Sequence, residues 1–244
     1  FDAVIFAFEV PGDSGDDNVS FMTSLAYQAT DNVNLYLTVA EGWKAGGINR
    51  FPSRDNAVLP YDSEESVNYE IGVKSMLADG RVTLNAALYY IDIEGQQMLT
   101  VVPDPGGATP VTIIDNAAYS TSKGLELELN ANLTDQWRVA LSYSYADTEF
   151  DDYFLNDGTG VPTVDRSGQA FDFVPEEMFS LTVGYSVADV FADYDLDVSL
   201  NFRKVDGYSR PDGSFIDAPL GASFDLPSYD LSLIHISEPT RREG

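Results

Sequence analysis

The chain has 244 residues, with 40 acidic and 13 basic side chains, a net charge of −27, one histidine and no cysteine. These counts exclude cysteine nucleophiles, thiolate metal sites and disulfide scaffolds, and they leave one histidine for any Ser-His catalysis. Because the few Lys and Arg residues do not cluster, no nucleic-acid partner is expected, since phosphate backbones require clustered cations.

Apolar and polar residues alternate with a period of two along most of the chain, which predicts an all-β fold. Eight strands are predicted, at Val19–Ala29, Leu35–Lys44, Val67–Lys74, Val82–Val102, Val111–Leu133, Trp137–Tyr145, Phe179–Ser186 and Tyr194–Arg203. A ninth begins near Ser228. No run of about 18 apolar residues predicts a helical membrane span, but strands of a membrane β-barrel need only about 9–11 residues each.

The predicted connections are alternately short and long. The short ones lie at Asp31-Asn32, at Asp79-Gly80 with its favoured hairpin pair, at Thr134-Asp135 and at residues 188–193; the long ones cover residues 46–66, 103–110, 147–174 and 206–225. Barrels of the outer membrane show this asymmetry, because their periplasmic turns are short and their external loops are long.

Charged residues occupy the strand face opposite the apolar rows. They are Lys74, Glu126, Glu128, Arg138, Asp195, Asp197 and Arg203. A dry sandwich core could not hold them without strong pairing, whereas a water-filled lumen can, so we expect these residues to line a lumen, with Arg138 a partner for the two glutamates. The prediction is an antiparallel up-and-down transmembrane β-barrel, of which the chain supplies about eight to nine strands. A soluble antiparallel sheet with one solvated face gives the same alternation and is the alternative.

Aromatic residues lie near the predicted strand ends. Trp137 starts its strand beside a short turn, and the others are Tyr27, Tyr90, Tyr145, Tyr185 and Phe202. Membrane barrels carry aromatic girdles at both interfaces, so this placement favours the barrel.

Four strings resemble the C-terminal barrel of TonB-dependent receptors of the Gram-negative outer membrane, in the order expected for that family. They are LYLTVAEGWKAGGIN at 35–49, EESVNYEIGVKS at 64–75, NAAYSTSKGLELELNANLTDQWRVALSYSYADTEF at 116–150 and VPEEMFSLTVGYS at 174–186. The resemblance covers about residues 19–230. It implies a 22-stranded barrel closed by an N-terminal plug and energised by the TonB complex through an N-terminal box. Since the chain contains neither, we interpret residues 1–230 as a partial barrel.

The C-terminal residues 231–244 differ from the rest. The string LSLIHISEPTRR at 231–242 breaks the alternation and resembles the translation of a transposase adapter from sequencing libraries. We therefore expect residues 231–244 to be a non-native tail and exclude His235 from the candidate sites. The alternative is a natural tail in which residues 233–236 form a strand.

Candidate ligand contacts gather at the first external loop. They are Trp43, Lys44, Asn49, Arg50 and Arg54, because aromatic faces and cations suit aryl or anionic chelates. A purely structural interpretation is also open, in which Trp43 anchors at the interface and Lys44 faces lipopolysaccharide or pairs with Glu41.

The sequence predicts a receptor that binds a scarce nutrient, which the resemblance implies is a ferric siderophore or similar chelate, and imports it with TonB energy. The expected location is the outer membrane, in contact with lipid and lipopolysaccharide. The alternatives are a passive porin and a soluble or structural β-sheet module. No catalytic activity, cofactor or metal site is expected, since the acidic runs at 13–17 and 147–157 lack the ligand spacing of a calcium loop.

Overall fold

The computed structural model describes residues 17–50, 58–102, 111–156, 162–191, 194–206, 209–211, 223–225 and 229–236. Its strands are β1 (Met22–Thr30), β2 (Val33–Lys44), β3 (Gly47–Arg50), β4 (Val58–Tyr61), β5 (Glu64–Leu77), β6 (Val82–Val102), β7 (Val111–Asn132), β8 (Trp137–Asp152), β9 (Phe154–Asn156), β10 (Pro162–Asp165), β11 (Glu177–Phe191), β12 (Tyr194–Val205), β13 (Ser209–Pro211), β14 (Ser223–Asp225) and β15 (Tyr229–Ile236). These residues include no helix with the length and hydropathy needed to cross a bilayer.

Nine of these strands form one antiparallel sheet, in the order β1-β2-β5-β6-β7-β8-β11-β12-β15. Long strands that follow one another along the chain are hydrogen-bonded neighbours in the sheet, as in the wall of an up-and-down barrel. Three small hairpins, β3-β4, β9-β10 and β13-β14, lie in the connections that were predicted to be long. The all-β, antiparallel prediction is therefore confirmed.

The short turns lie at one end of the sheet. Between β7 and β8, the Thr134 hydroxyl oxygen accepts hydrogen bonds from the amides of Gln136 (3.1 Å) and Trp137 (3.0 Å), which fixes the turn locally. Between β5 and β6 the turn is longer than the two residues typical of an Asp-Gly hairpin, because Leu77 pairs with Val82. Its residues Ala78, Asp79 and Gly80 all have positive φ.

The apolar residues of the sheet form rows across one face. One row joins Leu25, Leu37, Ile71, Leu88 and Leu125 through successive register pairs. Leu37 is 47% exposed and Ile71 57% exposed, so this face, here called the apolar face, is not covered by any part of the described chain. Such a continuous exposed surface requires a hydrophobic environment, which lipid provides.

Aromatic pairs border the apolar face at two levels. Near the short turns, the Trp137 and Tyr185 ring centroids are 4.7 Å apart, and further along the strands those of Tyr69 and Tyr90 are 6.5 Å apart. On β8, Trp137 and Tyr145 are eight residues apart, or about 26 Å along the strand, comparable to the apolar band of membrane barrels.

The predictions of two long loops were partly wrong. The region 46–66 contains the β3-β4 hairpin, and β5 already begins at Glu64. The acidic region 147–174 begins as strand, since β8 continues to Asp152, and it contains the β9-β10 hairpin. Above the membrane neither strand face needs to be apolar, so the alternation that identifies spanning strands disappears while the backbone pairing continues.

Strand β15 includes part of the suspected tail. Its backbone register pairs Leu231 with Arg203, Ser232 with Phe202 and Leu233 with Asn201. The assignment of 231–244 as a non-native tail stays a prediction.

Candidate functional site

The face opposite the apolar one, here called the polar face, bounds a cavity of about 740 Å³. Residues from β2, β5, β6, β7, β8, β11 and β12 line it, so the sheet curves around this space. Lys74, Glu126, Glu128 and Arg203, all predicted to line a lumen, are among the lining residues. The two carboxylates lie on β7, between Lys74 of β5 and Arg203 of β12, so the wall is suited to water and polar ligands.

Tyrosine rings on the polar face lie over glycines of the adjacent strand. Tyr36 of β2 lies over Gly72 of β5, and its hydroxyl donates a 2.6 Å hydrogen bond to Glu70 Oε1. The Lys74 ammonium lies 5.2 Å from the centroid of the Tyr36 ring. Tyr89 of β6 covers Gly124 of β7 in the same way. These contacts fix the rings along the cavity wall.

A second cavity, of about 390 Å³, lies on the same face nearer the short turns. Arg138 and Asp197 line it together with Arg81. The Arg81 guanidinium donates hydrogen bonds to the carbonyl oxygens of Asn132 (3.1 Å) and Leu133 (2.8 Å), and so joins two neighbouring turns.

Asp195 and Asp197 of β12, also predicted to line a lumen, both accept hydrogen bonds from residues of β11. The Asp197 carboxylate accepts a short hydrogen bond from the Ser186 hydroxyl, and Asp195 Oδ1 accepts one of 3.2 Å from the Asp189 amide. The predicted pairing of Arg138 with Glu126 or Glu128 is wrong. Arg138 lies opposite Asn132, and Glu128 is opposite Ser142, four residues further along β8 or about 13 Å.

Three of the five ligand contacts predicted around the first external loop, Trp43, Lys44 and Asn49, have side chains that the structure describes. Lys44 Nζ lies 3.7 Å from Glu64 Oε2, so its partner is the residue opposite it on β5, and the alternative pairing with Glu41 is wrong. The Asn49 side chain is buried and binds the β7 backbone twice: its amide donates to the Ile114 carbonyl, and its oxygen accepts from the Ile114 amide, both at 2.7 Å. Asn49 therefore holds the β3-β4 hairpin against β7.

Trp43 lies on β2 opposite Glu65, in register with the apolar face. It lines a third cavity, of about 240 Å³, together with the carboxylates Glu41, Glu65, Asp92 and Glu94. Across the described residues, no group of three or more His, Cys, Asp or Glu has a geometry that could hold a metal ion. The side chain of Arg50 and the whole of Arg54 lie outside the described residues, so their predicted roles stay predictions.

Two further amide side chains brace this loop. Asn116 of β7 donates to the carbonyl oxygens of Gly95 (2.7 Å) and Asp62 (3.1 Å) and accepts from the Asp62 amide (2.9 Å). Gln97 of β6 donates to the Ala45 carbonyl at 2.8 Å. Side-chain amides of β6 and β7 thus satisfy backbone groups of the connection between β2 and β5 and of Gly95.

A small hydrophobic core lies at the external end of β7 and β8. Ala117, Phe150 and Tyr153 are buried there, with Met98 and Phe171 packed against them. Arg166 is only 4% exposed and lies over the rings of Phe150 and Tyr153 at 5.1 and 5.7 Å. We call this group, Met98, Ala117, Phe150, Tyr153, Arg166 and Phe171, the rim cluster.

Arg166 is fully engaged in the rim cluster. Its two terminal nitrogens bind the Asp172 carboxylate oxygens at 2.9 and 2.7 Å, and Nε donates to Gln169 Oε1 at 3.2 Å. This bidentate geometry compensates the guanidinium for the loss of water. Burial raises the pKa of the nearby Tyr153 phenol above its usual range. At the loop surface, hydrogen bonds from Ser167 lower the pKa of Asp165.

Sequence reasoning did not identify Arg166, Asp172 or Phe173 as candidates. They lie in a stretch that was interpreted as an acidic loop, and no periodic pattern marks them. The one available signal was an arginine and three aromatic residues, at 150, 153 and 171, close to a region otherwise rich in acids.

Comparisons with known proteins agree with this architecture. The family model described as TonB dependent receptor-like, beta-barrel matches residues 4–233. The pesticin receptor of Yersinia pestis is 32% identical over 158 residues, which cover 64% of this chain and 22% of that protein. The probable TonB-dependent siderophore receptor PiuA of Acinetobacter baumannii is 24% identical over 216 residues, covering 82% of this chain and 28% of that protein.

Solved structures show the same fold. The ferric yersiniabactin uptake receptor FyuA from Yersinia pestis superposes with a TM-score of 0.63 at 24% identity, over 86% of this chain and 28% of that one. The siderophore receptor PiuA from Acinetobacter baumannii gives a TM-score of 0.65 at 22% identity, over 87% of this chain and 28% of that one. The chain thus spans between 22% and 28% of the length of these relatives.

Proposed function

Because the chain belongs to the TonB-dependent receptor β-barrel family, whose model matches residues 4–233, we propose that it is part of the barrel wall of an outer-membrane receptor that captures a ferric siderophore and imports it. Import would use energy from the TonB complex, and the chain would perform no covalent chemistry. Lipid and lipopolysaccharide would surround the apolar face in a Gram-negative outer membrane.

The observation that carries this proposal is the two-faced sheet. The apolar face exposes leucine, isoleucine and tyrosine side chains across successive strands, while the polar face surrounds a cavity of about 740 Å³ lined by both cations and carboxylates. A wall with lipid on one side and water on the other needs this division. A soluble sheet would instead leave a large apolar surface in water, which is a cause of aggregation.

The names of the relatives support the ligand class. Relatives in sequence include a probable TonB-dependent siderophore receptor and receptors named for ferric pyoverdine and metal-pseudopaline. A ferric chelate presents both anionic oxygens and apolar parts, and the polar face offers Lys74, Arg203 and tyrosine rings to such groups.

Uptake measurements test the proposal. The complete receptor that contains this chain would be expressed in a Gram-negative host that lacks its own siderophore receptors. Radiolabelled iron would be supplied as ferric yersiniabactin or ferric pyoverdine. The same cells without TonB serve as the control. We expect one chelate to bind in both strains and to accumulate only in the strain with TonB.

Two results would contradict the proposal. Equal accumulation in both strains would indicate a passive pore, which was the alternative from the sequence. Absence of binding for every ferric chelate, with the receptor present at the cell surface, would exclude a siderophore receptor.

A further inference from the structure

The external ends of β6 and β7 form a two-stranded ribbon. The pairing of β5 with β6 ends at Glu94, and the pairing of β7 with β8 ends at Tyr119. Beyond these residues β6 and β7 continue together, with residues 96–102 paired to residues 111–117. We call this part the β6-β7 ribbon. Two paired strands alone are at best marginally stable in water, so the ribbon needs support from other parts of the chain.

One side of the β6-β7 ribbon carries the first external loop. Gln97 and Asn116 are paired across the ribbon, and both donate hydrogen bonds of 3.1 Å to the Asp62 carbonyl oxygen. The Asp62 amide in turn donates to the Asn116 side chain at 2.9 Å. Further along β7, the Asn49 side chain binds both the amide and the carbonyl of Ile114. The first external loop is thus fixed to the ribbon at two separate points.

The other side of the ribbon packs in the rim cluster. The next residue along each strand, Met98 on β6 and Ala117 on β7, points to the opposite side, because side chains alternate along a strand. Both residues belong to the rim cluster, in which Ala117 and Phe150 have no exposed surface. The cluster also holds residues 166–172, here called the rim segment, whose Phe171 ring packs on Phe150 with centroids 4.8 Å apart.

The ribbon makes each of these two covers depend on the other. If the first external loop detached, the backbone groups of Ile114 would lose the Asn49 side chain that satisfies them. If the rim segment detached, Met98 and Ala117 would lose part of their apolar surroundings. In either case the ribbon would approach the marginal stability of an isolated hairpin, and the remaining cover would lose its rigid support.

We propose that the first external loop, the β6-β7 ribbon and the rim segment form one cooperative unit, in which the two covers loosen together although they bind opposite sides of the ribbon. Any contact that stabilises one cover therefore also stabilises the other, and the coupling is reciprocal. The inference goes beyond the proposed function and does not depend on the identity of the ligand.

Hydrogen exchange measured by mass spectrometry tests the inference on the complete receptor in lipid nanodiscs. Asn116→Ala removes the side chain that holds Asp62. It should speed exchange at least about fivefold in residues 58–64, the scale of one or two lost hydrogen bonds, and also in the rim segment on the opposite side of the ribbon.

The reciprocal variant is Phe150→Leu, which reduces a buried ring without adding a polar group. It should speed exchange in the rim segment and, through the ribbon, in residues 58–64. Met98→Ala, a second change on the same side, replaces it if Phe150→Leu does not give the heat-modifiable gel migration of a folded barrel. Leu99→Ala is the matched control, because this neighbouring ribbon side chain is 75% exposed, and it should leave exchange in both covers unchanged.

The cross effects decide the outcome. Faster exchange in both covers for each variant, with no effect of Leu99→Ala, is the expected result. If Asn116→Ala affects only residues 58–64 and Phe150→Leu affects only the rim segment, the two covers are independent and the inference is overturned. Transmission in one direction only would also overturn it, because coupling within one unit is reciprocal. An equal effect of Leu99→Ala would overturn it as well, since the ribbon would then respond to any change.

Discussion

Two glycines on the polar face, Gly72 and Gly124, are each covered by a tyrosine ring from the neighbouring strand. A Cβ atom added at Gly72 would lie 2.5 Å from two ring carbons and the hydroxyl oxygen of Tyr36, and one at Gly124 would meet the Tyr89 side chain and the Tyr145 backbone oxygen. Glycine weakens a strand in isolation, but here its missing side chain makes room for a large ring that restores the lost contact area.

We therefore predict that Gly72→Ala destabilises the barrel by about 1–3 kcal/mol, the usual cost of forcing a methyl group into an occupied space. Gly184→Ala is the matched control. Gly184 lies on the same face, and a Cβ atom added there would lie 3.9 Å from its nearest neighbour, the Cβ of Arg138, so this change should be neutral or slightly stabilising. The measurement is the free energy of unfolding in lipid vesicles. Equal effects at the two sites would show that the tyrosine contact does not exist.

Among the elements, the spanning strands β2, β5, β6 and β7 follow the period-two pattern, because the membrane imposes one apolar side on each strand. Local sequence is enough to find them. Asn49 shows the limit of local sequence. Its residue type suggested a ligand contact, but its side chain is hydrogen-bonded to the backbone of Ile114, 65 residues away along the chain. Arg166 is similar, since its burial depends on rings from β8. Contacts of this kind leave no periodic trace in a single sequence.

The assignment of faces can be tested at two adjacent positions of β2. Leu37 belongs to a row on the apolar face, and Thr38 lies opposite Glu70 on the polar face. Leu37→Lys should cost about 2–4 kcal/mol in lipid vesicles, since it places an ammonium group near the middle of the hydrocarbon layer. Thr38→Lys should cost less than about 1 kcal/mol, because water and the Glu70 carboxylate are available. A larger penalty for Thr38→Lys than for Leu37→Lys would show that the two faces are assigned the wrong way round.

In the whole molecule, the two outermost strands of the nine-stranded sheet are β1 and β15. Each has one side without a strand partner in the described residues, and the residues of β1 are exposed on both faces. Lipid offers no hydrogen-bonding groups, so an unpaired strand edge within the hydrocarbon layer is costly, and a membrane barrel requires closure.

We predict that the 244-residue chain, expressed alone and without any additional barrel segment, confers no iron uptake and aggregates when detergent is removed. The physical reason is that its apolar face and its two edges are satisfied only in a closed wall surrounded by lipid. Uptake of radiolabelled ferric chelate by cells that make only this chain measures the first part, and light scattering during detergent dilution measures the second. A soluble monomer in detergent-free buffer would contradict the lipid-facing assignment, and restored uptake would contradict the need for closure by further strands.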